Sequence, residues 1–592
     1  MDRQQTIGFI LITFILIFWM WYVAPKTQDI KTQKTEVAPQ TENKIAENPT
    51  TEAKKEEPPS AFFQSQTIKA EEIITIETDL YVAQISTNGG VLKKWQLKKY
   101  NLWNKKEKVD LIDQSLGGDL NLLFTSKDGK IINTKTHQFN FVKKLPARIT
   151  LKENESYKID LSLPSANGEI IKSFTFKNNE YVFDFDVELK NMNDVVANYE
   201  YQVEWENGLL YSERNSYDES SVAKSFVYSG GELTELDVAN IGENLEISPN
   251  GNTDWVATRT KYFALAIIPQ DKKATSAFLS GKHYEAKPMG SVEKYTIALT
   301  FPFKGEQNHK TNFKIFLGPL EYSLIKKLNY NLEEIMTLGW SWIRPITVYI
   351  FIPLFNFLHG FISNYGILII IFTLVLKILM FPLTRSTTKS MQKMQALAPM
   401  VEEIKQKYKE DQSQANIQVM KLYRDYGANP AGGCLPLLLQ MPILSALYSL
   451  FSNAIELRQS NFVFWMSDLS VPDVIFSLPF KIPLLGLQDF SGLALAMGVT
   501  MFLQQKMTIT DPRQKALVWM MPVMMTLLFN NFPAGLNLYY FAFNIFAISE
   551  QIYYKNKKMK EPLKKVEKKG KSSWFEGVQR KLEESQKSQK KK

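Results

Sequence analysis

Cysteine and histidine are scarce in this chain. A single cysteine, Cys434, in 592 residues excludes an intramolecular disulfide. The four histidines, His137, His283, His309 and His359, are isolated in sequence, and nothing shows metal-ligand spacing, so neither a metal nor another cofactor is expected. No GxxxxGK(S/T) motif occurs, so no P-loop nucleotide chemistry is expected. No A-x-A-like site follows the first apolar run, which argues against signal-peptide cleavage there. The later apolar spans show no repeated halves with broken helices, which counts against a small-solute transporter.

What is abundant is hydrocarbon, and it is unevenly spread. The 45% apolar fraction gathers in a few dense runs between polar stretches, as in a membrane protein with soluble parts. The formal charge of +9 does not indicate DNA binding, because fifteen Lys and Arg residues lie within 555–592 and the excess belongs to that tail.

The run Ile7–Val23, followed closely by Pro25 and ended by Trp19, Trp21 and Tyr22, reads as an uncleaved signal anchor, residues 1–24. Residues 25–66, rich in Lys, Glu, Thr, Gln and Pro, are too poor in apolar groups to order themselves and form a tether. From 67 to 320 the pattern has period two. In "EYVFDFDVELK", Tyr181, Phe183, Phe185, Val187 and Leu189 share one face while Asp184, Asp186 and Glu188 share the other. "YKIDLSLP" and "EKYTIALTF" repeat the alternation, and "TNGG" and "KNNE" are turns between runs. This predicts a large all-β sandwich with its carboxylates on wet strand faces and no catalytic pair.

Residues 321–364 read as a linker ending in an interfacial helix, since Pro353, Asn356 and His359 interrupt the aromatic run from Ile343 to Ile362. Spans follow at 365–383, 433–455, 491–506, 517–532 and 533–554, with an outer loop at 456–490 and a short inner loop at 507–516. With the anchor this makes six transmembrane helices. The 384–432 segment carries eight Lys and Arg, the outer loop only Arg458 and Lys481, and the tail 555–592 is basic, so both termini are expected inside and the β domain outside. Within 384–432, Met391, Met394 and Leu397, then Val401, Ile404 and Tyr408, recur at three- and four-residue steps, and Ile417, Met420 and Leu422 resume the pattern after "KEDQSQ". Two amphipathic helices forming a cytoplasmic hairpin are expected, with the Met-rich stripe serving as hairpin core or as an adaptable contact surface.

One cation, Lys377, lies inside "GILIIIFTLVLKILMFPLT". Its stem is able to snorkel to the inner interface, about 9 Å of helix away, or its ammonium faces a wet cavity within the protein. The residues alone leave both open.

The stretches "STNGGVLKKWQLKKY", "WVATRTKYFALAIIP", "YGILIIIFTLVLKILMFPLT", "KSMQKMQALAP", "NPAGGCLPLLLQMPILSALY", "VTMFLQQKM" and "NFPAGLNLYY" together resemble the YidC insertases of bacterial inner membranes, in order and over nearly the whole chain. The resemblance implies a non-enzymatic insertase and chaperone for nascent inner-membrane proteins, working alone or with the Sec translocon (SecYEG, SecDF). It implies a periplasmic β-supersandwich and a five-helix core around a hydrophilic groove open to cytoplasm and lipid. Lys377 falls where the family carries a groove cation, usually arginine, and Thr373 and Tyr540 match further groove positions. Gln440 and Gln505 lie in family-like motifs near the groove, and Leu444 and Leu528 match an apolar slide for the substrate helix. Lysine lacks arginine's planar fork, so any pairing with a substrate carboxylate would be a looser point contact. The tail's lysines suit anionic lipid or, as the resemblance implies, the ribosome. A membrane-anchored carbohydrate-binding or carbohydrate-modifying protein is the competing reading, and it requires a catalytic His, Glu or carboxylate pair in the β domain.

Overall fold

The computed structural model describes residues 62–63, 70–286, 290–428, 435–480, 482, 487–508, 515–556 and 565. The expected anchor, most of the tether, Cys434 and nearly all of the basic tail lie outside these residues. The chain forms two compact units that divide between Met336 and Thr337.

The first unit is built of antiparallel sheet with one parallel pairing, Ile73–Glu77 beside Arg148–Thr150. A five-stranded sheet holds Ile73–Glu77, Tyr81–Ser86 and Val91–Asn101, and a second sheet of fifteen strands carries the rest. Period-two patterning explains the layers. In Val182–Lys190, Phe183, Phe185, Val187 and Leu189 are fully buried while Asp184, Asp186 and Glu188 stay half-exposed. Each buried Phe or Leu contributes about 1.5–3 kcal/mol. Tyr81 stacks on Trp95 at 3.8 Å between ring centroids, and Phe183 packs on the same indole at 5.3 Å. The expected turns take left-handed backbone at Gly89 (φ 78°), Gly90 (φ 56°) and Asn179 (φ 62°).

Buried charge departs from the wet-face expectation. Glu293 shares the inner face of Ser291–Pro302 with Tyr295 and Ile297, because the parity that buries these apolar rows carries the carboxylate inward with them. Its oxygens accept from Ser220 Oγ at 2.6 Å and Tyr295 Oη at 2.5 Å. Lys172 is also fully buried, and its Nζ donates to the carbonyls of Gly89 (2.9 Å), Gly90 (3.2 Å) and Leu120 (2.9 Å), tying a strand of the large sheet to the "TNGG" turn of the small one.

Two boundaries differ from the sequence reading. Phe63, within the expected tether, is buried beside His137 at 5.2 Å and Phe124 at 6.1 Å, since two adjacent phenylalanines supply what the polar run lacks. Residues up to Met336 belong to the β unit rather than to a linker. Leu332 and Ile335 are buried, and the Ile335 carbonyl accepts from Arg259 Nη1 at 2.8 Å.

The second unit is helical. Helical turns run from Arg344 to His359, with Phe351 and Phe355 packed on Phe372 while Tyr349, Phe357 and Phe361 stay exposed. The sixteen residues span about 24 Å, short of a hydrocarbon layer of about 30 Å. Then come α1 (Tyr365–Ala396), α2 (Ala398–Lys407), α3 (Gln412–Asp425), α4 (Leu435–Asn453), α5 (Gly492–Thr508), α6 (Lys515–Phe529) and α7 (Ala534–Asn556). Among the described residues, one helix is long and apolar enough to cross a membrane, at Tyr365–Pro382, and Val518–Phe529 is a shorter apolar helix. The Asn364 side chain caps α1 by accepting the Ile367 N–H at 3.1 Å.

α1 does not end near 383. Pro382 removes one N–H, but neither glycine nor a further proline follows before Ala396, so the helix continues through Met391 and Met394 to Ala396 despite the Ser- and Thr-rich stretch between. These two methionines are half-buried on the extension of α1 instead of in a separate hairpin helix, and Leu397 is buried at the break before α2. α2 and α3 pack on each other as the helical pair. Lys393 Nζ donates to the Tyr426 carbonyl at 3.3 Å, and Gln395 Nε2 donates to the carbonyls of Met507 and Thr508 at 3.1 and 3.2 Å, fixing the extension to the ends of α3 and α5.

Candidate functional site

The site lies where α7 packs between α1 and α5. Thr373 and Lys377 are four residues apart on α1 and share a face. On α7, Tyr540, Phe543, Ala547 and Glu550 recur at three- and four-residue steps and form the facing stripe. Lys377 Nζ is 3.2 Å from Glu550 Oε2 and 4.8 Å above the centre of the Phe543 ring. The two ion-pair side chains retain 17% and 24% of their exposure, so the contact is sheltered without being sealed. Lys377 thus faces a neighbouring helix and its carboxylate.

The other candidates are distributed around this contact. Thr373 is fully buried, and its hydroxyl donates to the Ile369 carbonyl at 2.7 Å, one turn back on α1. Tyr540 packs edge-on against Phe529 at 4.9 Å. Gln440 of α4 lies beside Tyr539 and Tyr540. Gln440 Nε2, Tyr540 Oη and Gln505 Oε1 are buried polar atoms; Gln440 contacts both tyrosines, and among the described residues Gln505 Oε1 has no hydrogen-bond partner. Each such atom costs about 1–3 kcal/mol unless something polar reaches it. Gln505 sits on α5, which packs on α7. Leu444 and Leu528 are half-buried on α4 and α6.

Several participants escaped the sequence reading. Glu550 and Phe543 are the partners of Lys377. Asn544 Nδ2 donates to Thr500 Oγ1 at 3.3 Å, and Gln551 Nε2 donates to Thr508 Oγ1 at 2.6 Å, so two polar contacts interrupt the mostly apolar α5–α7 seam. A signal for Glu550 existed, since it is a carboxylate inside an expected span, and intramembrane charges tend to pair with one another.

The far end of these helices is closed by a polar knot. The Asp473 carboxylate accepts from Trp465 Nε1 at 2.9 Å, from the Leu493 N–H at 2.8 Å and from the Ser491 hydroxyl. Asn530 Oδ1 accepts the Ser491 N–H at 3.0 Å, and Asn537 Nδ2 donates to the Phe529 carbonyl at 3.2 Å.

An all-β unit followed by a helical unit with an apolar span and an ion pair between two of its helices fits a membrane protein that carries a large globular β domain. Residues 73–352 match the family described as the YidC periplasmic domain, and residues 357–562 match the family described as 60Kd inner membrane protein. Relatives named membrane protein insertase YidC include one from Chlorobaculum parvum, 38% identical with 93% of this chain and 94% of the relative covered. Others come from Prosthecochloris aestuarii (37%; 94% and 95%) and Chloroherpeton thalassium (36%; 95% and 97%). The chain belongs to the YidC family of membrane protein insertases.

Proposed function

We propose that this chain inserts hydrophobic segments of nascent inner-membrane proteins into the bilayer and shelters them as they fold, without covalent chemistry. The observation that carries the reading is the set of polar atoms, Gln440 Nε2, Gln505 Oε1 and Tyr540 Oη, buried on helices whose other side chains are mostly apolar. A groove that admits water or polar peptide satisfies them, whereas a dry bundle leaves them as uncompensated cost. A substrate's polar outer segment entering such a groove crosses a thinner apolar barrier than the intact bilayer. Its hydrophobic segment passes along Leu444 and Leu528 into lipid, and burial of apolar surface at about 25 cal/mol per Å² drives the step. Six spanning helices with both termini cytoplasmic, partnership with SecYEG and SecDF, and contacts of the basic tail with ribosome or anionic lipid complete the proposal. The residues of 555–592 suit either polyanion.

The test is protease protection of a single-span substrate in proteoliposomes. The protein should raise the protected yield well above that of empty liposomes, and equal yields would refute insertase function. Lys377→Glu should lower insertion of an acidic-tailed substrate by about tenfold or more, because it sets a second carboxylate against Glu550 and removes the cation. Lys377→Arg should stay within about threefold of the parent, since charge is kept.

A further inference from the structure

The ion pair between Lys377 and Glu550 changes what the groove cation offers an incoming chain. An isolated ammonium would attract any acidic segment and hold it. Here the ammonium already has a carboxylate at 3.2 Å, and the pair is only partly enclosed. We propose that Glu550 is a specificity-determining residue: it occupies Lys377 in the resting protein, and an acidic side chain in the substrate's translocated segment takes its place by exchange of one carboxylate for another. The inference rests on the insertase reading above and adds a competitor to it.

Three observations support exchange over a permanent strut. Lysine presents a point charge with rotatable donors, so it is able to turn from one carboxylate to another without breaking a bidentate fork. Among the described residues, the contacts to Nζ are one carboxylate oxygen and the Phe543 face, which leaves donor capacity for a second carboxylate to approach before the first departs. Phe543 lies seven residues before Glu550 on the same face of α7, so the ring supports the cation while the carboxylates change over. An acidic segment therefore gains little net attraction, and it also leaves easily, because Glu550 is at hand to reclaim Lys377.

The pair makes a graded prediction about substrate charge. The experiment compares two single-span substrates that differ only in their translocated segment, two Asp against two Asn, inserted by the full-length protein in proteoliposomes of fixed lipid composition. The readout is the ratio of acidic to neutral insertion at sub-saturating substrate. Glu550→Gln frees the ammonium and should raise the ratio about three- to tenfold above the parent, while acidic product is released more slowly. Lys377→Gln leaves Glu550 alone to repel acid and should lower the ratio below one. Lys377→Gln with Glu550→Gln removes both charges and should bring the ratio to about one.

If the pair only holds α1 to α7, all variants lose both substrates in proportion and the ratio stays constant, which overturns the proposal. If Glu550→Gln does not fold, the doubly neutral variant is compared with Lys377→Gln: loss of the Glu550 charge should raise its ratio above that of Lys377→Gln, and equal ratios overturn the proposal. Absence of insertion by the parent protein with either substrate is a different result and refutes the insertase reading itself.

Discussion

The carboxylate of Asp473 accepts the backbone N–H of Leu493 at 2.8 Å, so a residue twenty positions earlier caps the first turn of α5. The same oxygen accepts the Trp465 indole N–H at 2.9 Å, and the other accepts the Ser491 hydroxyl. Three donors, one from Trp465 and two from the start of α5, thus converge on one buried carboxylate.

Asp473→Ala strands these donors and should cost about 3 kcal/mol, with Asp473→Asn costing roughly half as much because one oxygen still accepts. Thermal unfolding of the detergent-solubilised protein measures this, and an unchanged midpoint for the alanine variant would contradict the assignment.

Gly498 faces Thr526 where α5 packs on α6. A Cβ there would overlap the Thr526 hydroxyl, which is held in place by donating to the Pro522 carbonyl at 2.8 Å. Gly498→Ala should therefore cost about 1–3 kcal/mol through overpacking. Thr526→Ala in the same chain should recover most of that loss. Additive losses in a double-mutant cycle would show that the two residues do not meet.

Lys172 should be among the least replaceable residues of the β unit. Lys172→Met keeps the length of the stem and removes the donor, leaving the carbonyls of Gly89, Gly90 and Leu120 without it, and should cost about 3–5 kcal/mol. Hydrogen exchange of the intact protein should show the loss of protection spreading from 87–92 into 169–177, and a loss confined to the "TNGG" turn would argue against a tie between the sheets.

The pH dependence of the β unit should run opposite to ordinary acid unfolding. Burial lifts the carboxyl groups of Asp119, Glu204, Glu219 and Glu293 to about 7. In the unfolded chain they titrate near 4. Between these values the folded state holds protons that the unfolded state has released, so stability falls as pH rises from about 4.5 to about 7. Glu71 and Glu77, held low by Lys93 and by Lys98 with Arg148, act with the opposite sign at lower pH. His137 and His309, pushed down by burial, oppose the trend below about pH 6.5, two imidazoles against four carboxyls. Exchange protection factors, corrected for the intrinsic rate, should be lower at pH 8 than at pH 5.5. Glu293→Gln, neutral at every pH, should shrink the difference.

Much of the β unit was legible because side-chain parity in a strand is a local property. Phe183 to Leu189 announce their face within nine residues. Glu293 was misplaced because acidity was allowed to outrank parity, although Tyr295 and Ile297, on the same side, mark that face as inner. In the helical unit the sequence located Lys377 but could not name its partner, since pairing depends on which helices pack together and hydrophobic periodicity carries no such information. Glu550, 173 positions later in the chain, becomes its neighbour only through the packing of α7 on α1. The end of α1 was misjudged for a different reason. A single proline coincided with the expected edge of the apolar run, and leaving the apolar run does not itself terminate a helix.

The uninterrupted course of α1 carries it well past its own apolar run. The fourteen residues from 383 to 396 continue for about 21 Å, and there Gln395 and Lys393 hold the ends of α5 and α3. One helix thus gathers the bundle and the helical pair α2–α3, and a tilt of α1 is felt by both.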